Sequence, residues 1–270
     1  MARVLSVVNQ KGGVGKTTTA INLAAALAAA ERPTLLVDLD AQGNATSGVC
    51  PDRGSLAGPT IYEVLLEGAP AEKACHPTTL PYLWLLPASA DLVGAEVELA
   101  ERPGREGRLR QALESLGGHY AFVVVDCPPS LGLLTLNALV AADGAVIPLQ
   151  CEYYALEGLA QLMKTLGLVR DRANPRLGVE GIVFTMFDGR TSLALQVRAE
   201  VERYFRAHLF RTVIPRNVRL TEAPSHGRPI LQYDVRSAGA IAYLELAKEV
   251  LDHDEARART RARGAAPAAG

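Results

Sequence analysis

The seven residues Lys11-Gly-Gly-Val-Gly-Lys-Thr17 constrain this chain more than any other feature of its sequence. They follow an apolar, strand-like run that begins at Val4 and precede an Ala/Leu-rich, helix-like stretch over residues 20–30. Glycines allow successive backbone N–H groups to converge on one point, and the start of the following helix adds a positive dipole end. Such a loop cradles polyphosphate, so the segment predicts a nucleotide site between the first strand and the first helix.

The residue types in this loop suit contacts with ATP and Mg²⁺. Lys16 is placed to reach the β- and γ-phosphates, and Thr17 supplies a hydroxyl for Mg²⁺. The loop departs from the usual Gly-x-x-x-x-Gly-Lys-Ser/Thr pattern, because Gln10 replaces the first glycine and a second lysine, Lys11, follows it. A glycine-rich loop without a ligand is the structural alternative. The predicted ATP contacts in the loop are Lys11, Gly12, Gly13, Val14, Gly15, Lys16, Thr17 and Thr18.

Two other apolar runs end in aspartate. One ends at Asp126, and another ends at Asp38 with Asp40 two residues further along. Ligands bind at the carboxyl edge of an open α/β sheet, so these carboxylates are predicted to lie beside the loop. Asp126 is predicted to hold Mg²⁺ together with Thr17 and Asp38, while Asp40 orients the attacking water. An aspartate at a strand end is also a common cap or turn residue, which is the structural alternative.

Apolar runs alternate with helical stretches along the chain. This alternation predicts an α/β fold, a single-domain P-loop NTPase with a mostly parallel, twisted sheet and helices on both faces. The predicted strands are Val4–Val8, Thr34–Val37, Leu83–Leu86, Phe122–Val125, Ala145–Pro148, Gly181–Thr185 and Thr212–Ile214. The predicted helices are Thr17–Ala30, Thr60–Leu66, Arg108–Leu116, Thr135–Val140, Leu156–Asp171, Leu193–Ala207 and Ala238–His253. The ATPase domain is predicted to span residues 1–253, and the Arg/Ala-rich residues 254–270 are predicted to form a disordered tail that begins as a frayed helix end.

The bulk composition excludes several classes of protein. A chain of 270 residues with 49% hydrophobic content can bury one large core. No apolar run reaches the roughly 18 residues that a membrane span requires, and the chain enters its first strand without a signal peptide. Its four cysteines lack Cys-x-x-Cys spacing, which argues against a zinc site or a disulfide scaffold. We therefore expect a cytoplasmic protein that has no membrane partner.

A net charge of −1 conceals a basic segment over residues 170–236. This segment contains twelve arginines and seven acidic residues, and the difference leaves it with a charge of +5. A localised positive charge suits an anionic partner such as a nucleic-acid phosphate backbone, although a solvated face is the structural alternative. Arginine in place of lysine favours phosphate contact.

Five segments of the chain resemble the chromosomal ParA (Soj) partition ATPases, which belong to the MinD/ParA group with a deviant Walker A loop. The segments are Lys11–Thr19, Leu36–Gly48, Asp126–Asn137, Gln150–Gly158 and Val213–Gly227. The resemblance implies an ATP hydrolase of slow intrinsic turnover that forms a face-to-face homodimer on binding ATP. It also implies non-specific binding to double-stranded DNA on the nucleoid. A ParB-type centromere-binding protein would stimulate hydrolysis while a chromosome or plasmid is segregated.

The same resemblance implies roles for individual residues. Lys11 corresponds to the lysine that reaches the nucleotide of the other subunit, while Lys16 acts on its own nucleotide. A solvated surface lysine is the alternative for position 11. Pro215 and Asn217 lie where this family closes over the adenine. The candidate DNA contacts, both inside the basic segment, are Arg190 and Arg219.

Two departures from the family and three rival classes accompany this interpretation. Ala41 stands where the family usually has proline, which leaves the loop after Asp40 freer, and no N-terminal helix-turn-helix region precedes the first strand. A MinD-like membrane ATPase would need large apolar residues after Leu251. A nitrogenase-reductase-like electron carrier would need cluster ligands, yet Cys127 and Cys151 lack that motif context. The third rival is a nucleotide-binding module that does not hydrolyse ATP.

Overall fold

The computed structural model describes residues 2–52, 54 and 56–264, with side chains as far as residue 260. Within these residues, the strands are β1 (Arg3–Val7), β2 (Thr34–Asp38), β3 (His76–Pro77), β4 (Leu83–Leu86), β5 (Phe122–Asp126), β6 (Gly144–Gln150), β7 (Gly178–Phe187) and β8 (Leu209–Pro215). The α-helices are α1 (Lys16–Ala29), α2 (Asn44–Val49), α3 (Ile61–Leu66), α4 (Ala71–Ala74), α5 (Leu92–Ala100), α6 (Arg108–Ser115), α7 (Leu133–Ala141), α8 (Ala155–Arg172), α9 (Ser192–Phe205), α10 (Val218–Glu222), α11 (Ile230–Tyr233) and α12 (Ala238–Gly264).

These strands form one sheet in the order β3-β4-β2-β5-β1-β6-β7-β8. Every neighbouring pair is parallel except β3 with β4. The register pairs Asp126 at the end of β5 with Val7 on one side and with Asp38 on the other. The ends of β1, β2 and β5 are therefore level, and the loop after β1 meets two carboxylates at the carboxyl edge of the sheet.

Each face of the sheet has its own apolar core. On β2, Leu35 and Val37 pack on one face, and Leu36 packs on the other. Residues of helices α3 to α9 cover the first face, while residues of α1, α2 and α10 to α12 cover the second. Each fully buried Leu or Val side chain stabilises the fold by about 1.5–3 kcal/mol. The predicted α/β sheet with helices on both faces is confirmed.

Helix α1 is buried along most of its length because it consists largely of small residues. Its alanines allow it to lie close to both the sheet and α12. The Tyr243 hydroxyl on α12 hydrogen-bonds the Thr19 hydroxyl at 3.2 Å, and this contact fixes the two helices to each other. The helix that begins at the phosphate-type loop is therefore held from two sides.

Several short elements are missing from the predicted set, namely β3 and helices α2, α4, α5, α10 and α11. The missing helices have four to nine residues, a length at which the apolar period repeats too few times for regular detection, although α3, α6 and α7 of similar length were predicted. Strand β3 has two residues and includes Pro77. Proline cannot donate a hydrogen bond to a neighbouring strand, and an edge strand such as β3 tolerates it because one side of the strand has no neighbour. Within the described residues, no helix has the length and apolar character that a bilayer span needs.

The tail predicted from residue 254 begins inside helix α12, which continues without interruption to Gly264. Its first part was predicted as a frayed helix end, and the division of the chain into a domain and a tail stays a prediction. Alanine and arginine favour helix, and Arg259 pairs with Glu255 one turn earlier. Arg257 also pairs with the buried Glu180 on β7, which attaches the helix end to the sheet. The rest of that prediction, residues 265–270, lies outside the described residues.

Candidate nucleotide and metal site

The glycine loop has the backbone that phosphate binding requires. Gly13 and Gly15 adopt φ values of 75° and 85°, which side chains with a Cβ disfavour. Gly15 is the N-cap of α1 and has no side chain with which to bond the N–H groups of the first turn. The Lys16 ammonium curls back to donate to the Lys11 carbonyl at 2.9 Å, and the Thr185 hydroxyl donates to the Val14 carbonyl at 2.8 Å. The loop is thus a preformed anion cradle.

Asn9 supports this loop and was not identified from the sequence. Its side-chain oxygen accepts the Lys11 N–H at 3.0 Å, and its amide donates to the Pro148 carbonyl on β6 at 2.7 Å. This buried asparagine therefore fixes the start of the loop to the neighbouring strand. Its position directly before the loop was the only available signal, since the contact with β6 joins residues 139 positions apart.

Lys16 lies in a confined environment beside the strand-end carboxylates. Only 7% of its surface is exposed, and burial lowers the pKa of its ammonium. The negative charges of Asp126 and Asp40 oppose this decrease. A poorly solvated ammonium gains more from an incoming phosphate than an exposed one would.

Asp126 is fully buried and poorly compensated. Among the residues that the structure describes, no donor completes a hydrogen bond to either of its oxygens. Burial and the charge of Asp38 raise its pKa well above the usual range, although the nearby Thr17 hydroxyl opposes that rise. Two unpartnered carboxylate oxygens in the interior are costly unless a cation or a donor reaches them. This geometry suits a bound divalent cation.

Asp38 is also buried, but its oxygens are used. One oxygen accepts the backbone N–H and the hydroxyl of Thr46, both at 2.7 Å, and the other accepts the Asp40 N–H at 3.1 Å. Burial raises the pKa of Asp38 to about 6, against the opposing effect of the Thr46 hydrogen bonds. Thr46 on α2 was not singled out from the sequence. Asp38 therefore orders the loop after β2 and is available to the metal only through its remaining lone pairs.

Asp40 is half-buried at the turn between β2 and α2. One of its carboxylate oxygens accepts the Gln42 N–H at 3.0 Å, and its carbonyl accepts the Gly43 N–H at 2.8 Å. Its charge contributes to the raised pKa of both Asp38 and Asp126, so the three carboxylates share one electrostatic environment. Ala41 follows in the same turn, without the φ restriction that proline would impose. The predicted water-orienting carboxylate therefore lies beside the predicted metal ligands.

These residues fit Mg²⁺ better than a metal that protein side chains hold alone. Within the described part of the chain, no group of three or more His, Cys, Asp or Glu side chains is arranged to hold a metal. Mg²⁺ commonly takes one or two protein groups, with water and substrate phosphates filling its remaining positions. Asp126 and the Thr17 hydroxyl supply such groups beside the loop, with Asp38 behind them. Oxygen donors of this kind match the preference of magnesium.

The two cysteines next to this edge behave as packed thiols. Cys127 and Cys151 are both buried. Burial raises the pKa of both thiols, that of Cys151 to about 11. Metal and cluster ligation needs thiolates, which these environments disfavour. Their chemistry is that of small apolar side chains.

Comparison with known proteins agrees with this geometry. A family model described as an AAA domain matches residues 2–179. The chromosome partitioning protein ParA of Myxococcus xanthus (strain DK1622) is 55% identical over 261 residues, covering 97% of this chain and 92% of the relative. The sporulation initiation inhibitor protein Soj of Bacillus subtilis (strain 168) is 52% identical over 250 residues, covering 93% and 98%. The chain belongs to the ParA/Soj family of chromosome-partitioning ATPases.

A solved structure provides a neighbour with bound ligands. The crystal structure of cobyrinic acid a,c-diamide synthase from Mycobacterium smegmatis with bound ADP and magnesium is 40% identical, with a TM-score of 0.82. It covers 94% of this chain and 96% of its own. The ligands of that neighbour agree with the ATP and Mg²⁺ predicted here. The resemblance to ParA and Soj drawn from the five sequence segments is confirmed.

In this ParA/Soj-family chain, the signature lysine has a partner that sequence reasoning missed. The Lys11 ammonium forms an ion pair with Glu152, which follows β6 at the same edge of the sheet. Both side chains are a little over 40% exposed, so the pair contributes little to stability. Lys11 is therefore held within its own subunit by a contact that is easily exchanged. Glu152 lies within the Gln150–Gly158 segment, but no sequence pattern pairs it with Lys11.

The residues expected near the adenine lie at the end of β8. Pro215 is the last residue of that strand, and Asn217 is the N-cap of α10. The side-chain oxygen of Asn217 accepts the Arg219 N–H at 2.9 Å, which leaves its amide group for another contact. The structure does not test their role with adenine, and it remains a prediction.

Both candidate DNA contacts are exposed and already paired with carboxylates. Arg190 donates to both oxygens of Asp188, at 2.8 and 2.6 Å, and these bonds lower the pKa of Asp188 to about 2. Arg219 donates to Glu222 at 2.8 Å and lies 3.5 Å from Asp234. A DNA phosphate would have to share each guanidinium with these carboxylates. Local pairing of this kind cannot be deduced from charge counting alone.

Proposed function

We propose that this chain is an ATPase that forms a homodimer on binding ATP and segregates a chromosome or plasmid. The ATP-bound dimer binds double-stranded DNA without sequence preference, and a ParB-type protein stimulates hydrolysis and release. Membership of the ParA/Soj family supports the partition role. The poorly compensated carboxylate of Asp126, buried beside a glycine loop with two lysines, is the observation that carries the ATPase chemistry.

Each side chain at the edge of the sheet has a distinct task in this proposal. The N–H groups of the loop and Lys16 bind the β- and γ-phosphates, and Asp126 with Thr17 holds the cation. Bound Mg²⁺ would neutralise charge on the phosphate oxygens. Asp40 accepts a hydrogen bond from the attacking water and orients it toward the γ-phosphate. Positioning and charge stabilisation are sufficient for phosphoryl transfer.

Lys11 provides the link between nucleotide and dimer. In the free subunit it pairs with Glu152 at the surface. In the proposed dimer it leaves Glu152 and contacts the γ-phosphate of the nucleotide on the other subunit. ADP has no γ-phosphate, so only ATP provides this contact. After hydrolysis that contact weakens and the subunits separate. DNA binding depends on ATP because Arg190 and Arg219 act together from both subunits.

Hydrolysis is tested with Asp40→Ala. We expect ATP–Mg²⁺ affinity within about threefold of wild type and turnover reduced by about 10² or more, because water is no longer oriented. Phosphate release and fluorescent-nucleotide binding measure the two quantities. Asp91→Ala, which changes an exposed aspartate before α5, is the matched control. Unchanged turnover in Asp40→Ala would remove this residue from the mechanism.

DNA binding is tested by fluorescence anisotropy with random-sequence duplex and the Asp40→Ala protein. Apo, ADP and ATP–Mg²⁺ states are compared at two salt concentrations. We expect tight, salt-sensitive binding with ATP only, and its loss in Lys11→Ala but not in the surface control Lys73→Ala. Binding that ignores nucleotide would contradict the switch.

The two arginines are tested in the same assay. Arg190→Ala and Arg219→Ala should each weaken DNA affinity equally across sequences and reduce the salt slope by about one unit. Arg170→Ala removes an exposed arginine from the same basic segment and serves as the control. An unchanged salt slope in both variants would place the DNA surface elsewhere.

Partner stimulation is tested by adding the ParB-type protein of the same genome to the wild-type chain with DNA. We expect slow hydrolysis by the chain alone and a clear increase with both additions. A rate that does not respond to the partner would leave the chain an ATPase without this form of control.

A further inference from the structure

The amino edge of the sheet, opposite the nucleotide loop, contains a cavity of about 370 Å³. Val4 on β1 and Val123 on β5 form part of its apolar floor. Four arginines line it, from four different parts of the chain. They are Arg3, Arg110, Arg176 and Arg257. None of these residues belongs to the nucleotide site.

Two of these guanidinium groups are already neutralised. Arg3 pairs with Glu180 and Asp254, and Arg257 pairs with Glu180 at 3.0 Å. Glu180 lies behind the cavity wall with its side chain fully buried. These two arginines therefore shape the wall more than they attract a ligand.

The other two guanidinium groups retain their charge. Arg110 donates to the Val140 carbonyl at 2.9 Å and to the Ala173 carbonyl at 3.3 Å, so it is held in place by neutral acceptors. Within the described residues, neither Arg110 nor Arg176 forms an ion pair with a carboxylate. Two uncompensated guanidinium groups thus border one cavity, one fixed and one on the exposed rim.

Two of the three acidic residues in the lining have contacts other than Arg110 and Arg176. Asp143 accepts the Val4 N–H at 2.9 Å, and Asp254 is taken by Arg3. Glu114 is exposed to solvent.

We propose that this cavity binds a small organic anion, namely a phosphate or carboxylate group carried on a short apolar skeleton. The anionic group lies against Arg110 and Arg176, whose planar guanidinium groups suit two-point contact with such oxygens. The apolar part lies on Val4 and Val123. The volume falls in the range of ligand pockets, about 300–1,000 Å³. This proposal does not depend on the partition function.

Isothermal titration of the full chain with phenyl phosphate, pyrophosphate and citrate tests the proposal. Saturating ADP–Mg²⁺ occupies the glycine loop, and a parallel series uses Lys16→Ala without nucleotide. We expect at least one probe to bind with a Kd below about 1 mM in both series. Phenyl phosphate should bind more tightly than pyrophosphate, because only phenyl phosphate has an apolar part.

Arg176→Ala removes an exposed side chain and should weaken that probe about tenfold, as expected for one charged hydrogen bond. Arg172→Ala, at the exposed end of α8 and outside the cavity lining, is the matched control and should leave the Kd unchanged. Arg110→Lys keeps the positive charge but loses the planar guanidinium group that makes two-point contact, so it should also weaken binding. The proposal is overturned if no probe binds, or if Arg172→Ala weakens binding as much as Arg176→Ala.

Discussion

At the carboxyl edge of the sheet, Asp126 is fully buried and its two oxygens accept no hydrogen bond from the described residues. At the amino edge, the side chain of Glu180 is equally buried, yet it contacts Arg3, Arg257 and His253. A buried carboxylate therefore lacks compensating contacts at the carboxyl edge, whereas at the amino edge three basic side chains compensate it.

This difference separates stability from binding. A compensated buried carboxylate needs nothing further, and it contributes to the fold only as part of its network. An uncompensated one raises the free energy of the free protein and lowers it again when a cation arrives. The carboxyl edge is therefore arranged to gain from a ligand, while the ion network around Glu180 is arranged to hold the fold together.

The largest expected effect breaks the compensated edge. Glu180→Gln should reduce the free energy of unfolding by about 3–5 kcal/mol, because Arg3 and Arg257 keep their charges without their shared partner. Urea unfolding measures the change. Glu255→Gln, on the exposed side of the same α12, should change stability by no more than about 0.5 kcal/mol. A loss below 1 kcal/mol in Glu180→Gln would contradict the assignment of this network to stability.

The opposite sign is expected at the carboxyl edge. Asp126→Asn should stabilise the metal-free protein at pH 7 by about 2–4 kcal/mol, because it removes a buried carboxyl whose ionised form, favoured in the unfolded chain, is disfavoured in the folded protein. The same variant should lose stabilisation by ADP–Mg²⁺, measured as a shift in Tm. Asp143→Asn at the other edge, where the carboxylate accepts the Val4 N–H, should destabilise the protein. If both variants changed the free energy of unfolding in the same direction, the difference between the two edges would be contradicted.

The contrast sharpens with pH through Asp38. Burial raises its pKa to about 6 in the folded state, above the value of about 3.9 for an unfolded chain. A carboxyl group whose pKa is higher in the folded state than in the unfolded chain binds its proton more tightly when the protein is folded. Its favourable contribution to stability is complete below the unfolded pKa, and it is lost as the pH rises through the folded pKa. Relative to Asp38→Asn, the metal-free wild type should lose about 2–3 kcal/mol between pH 4 and 7. Urea titrations at intervals of pH measure this, and a difference independent of pH would reject it.

The smallest expected effect concerns the surface pair beside the loop. Glu152→Gln should alter the free energy of unfolding by less than about 1 kcal/mol, because the pair is exposed. It should strengthen ATP-dependent dimerisation by up to about fivefold, since Lys11 no longer has to leave a carboxylate. Sedimentation with ATP–Mg²⁺ and Asp40→Ala as background measures this. Glu157→Gln on α8 is the control, and a weaker dimer in Glu152→Gln would show that Glu152 supports the dimer.

The sequence was informative where function depends on neighbouring residues. The loop Lys11–Thr17 and the aspartates at the ends of β2 and β5 could be predicted, because strand ends meet at one edge of a parallel sheet. The parallel α/β fold could be predicted from the alternation of apolar runs with helical stretches. Each of these signals is contained within a short run of neighbouring residues, so periodicity and motif spacing detect it.

The contacts that the sequence did not reveal join distant positions. Glu180 meets Arg3 across 177 positions, and Asn9 reaches Pro148 across 139. The last turns of α12 also include such a contact, because Arg257 pairs with Glu180 on β7. Arg190 and Asp188 lie two positions apart in the sequence, but a charge count does not indicate which charged side chains pair with each other.

The ion network around Glu180 also joins the first strand to the last helix. Arg3 on the first strand contacts the Val250 carbonyl at 3.3 Å and Asp254 at 3.2 Å, so the first strand and the last helix meet at the amino edge. Residues 255–264 extend α12 beyond that meeting point by about 15 Å. A reporter joined after residue 264 would thus begin away from the nucleotide edge. A circular permutant would need a linker long enough to return along that helical extension before it re-enters the first strand.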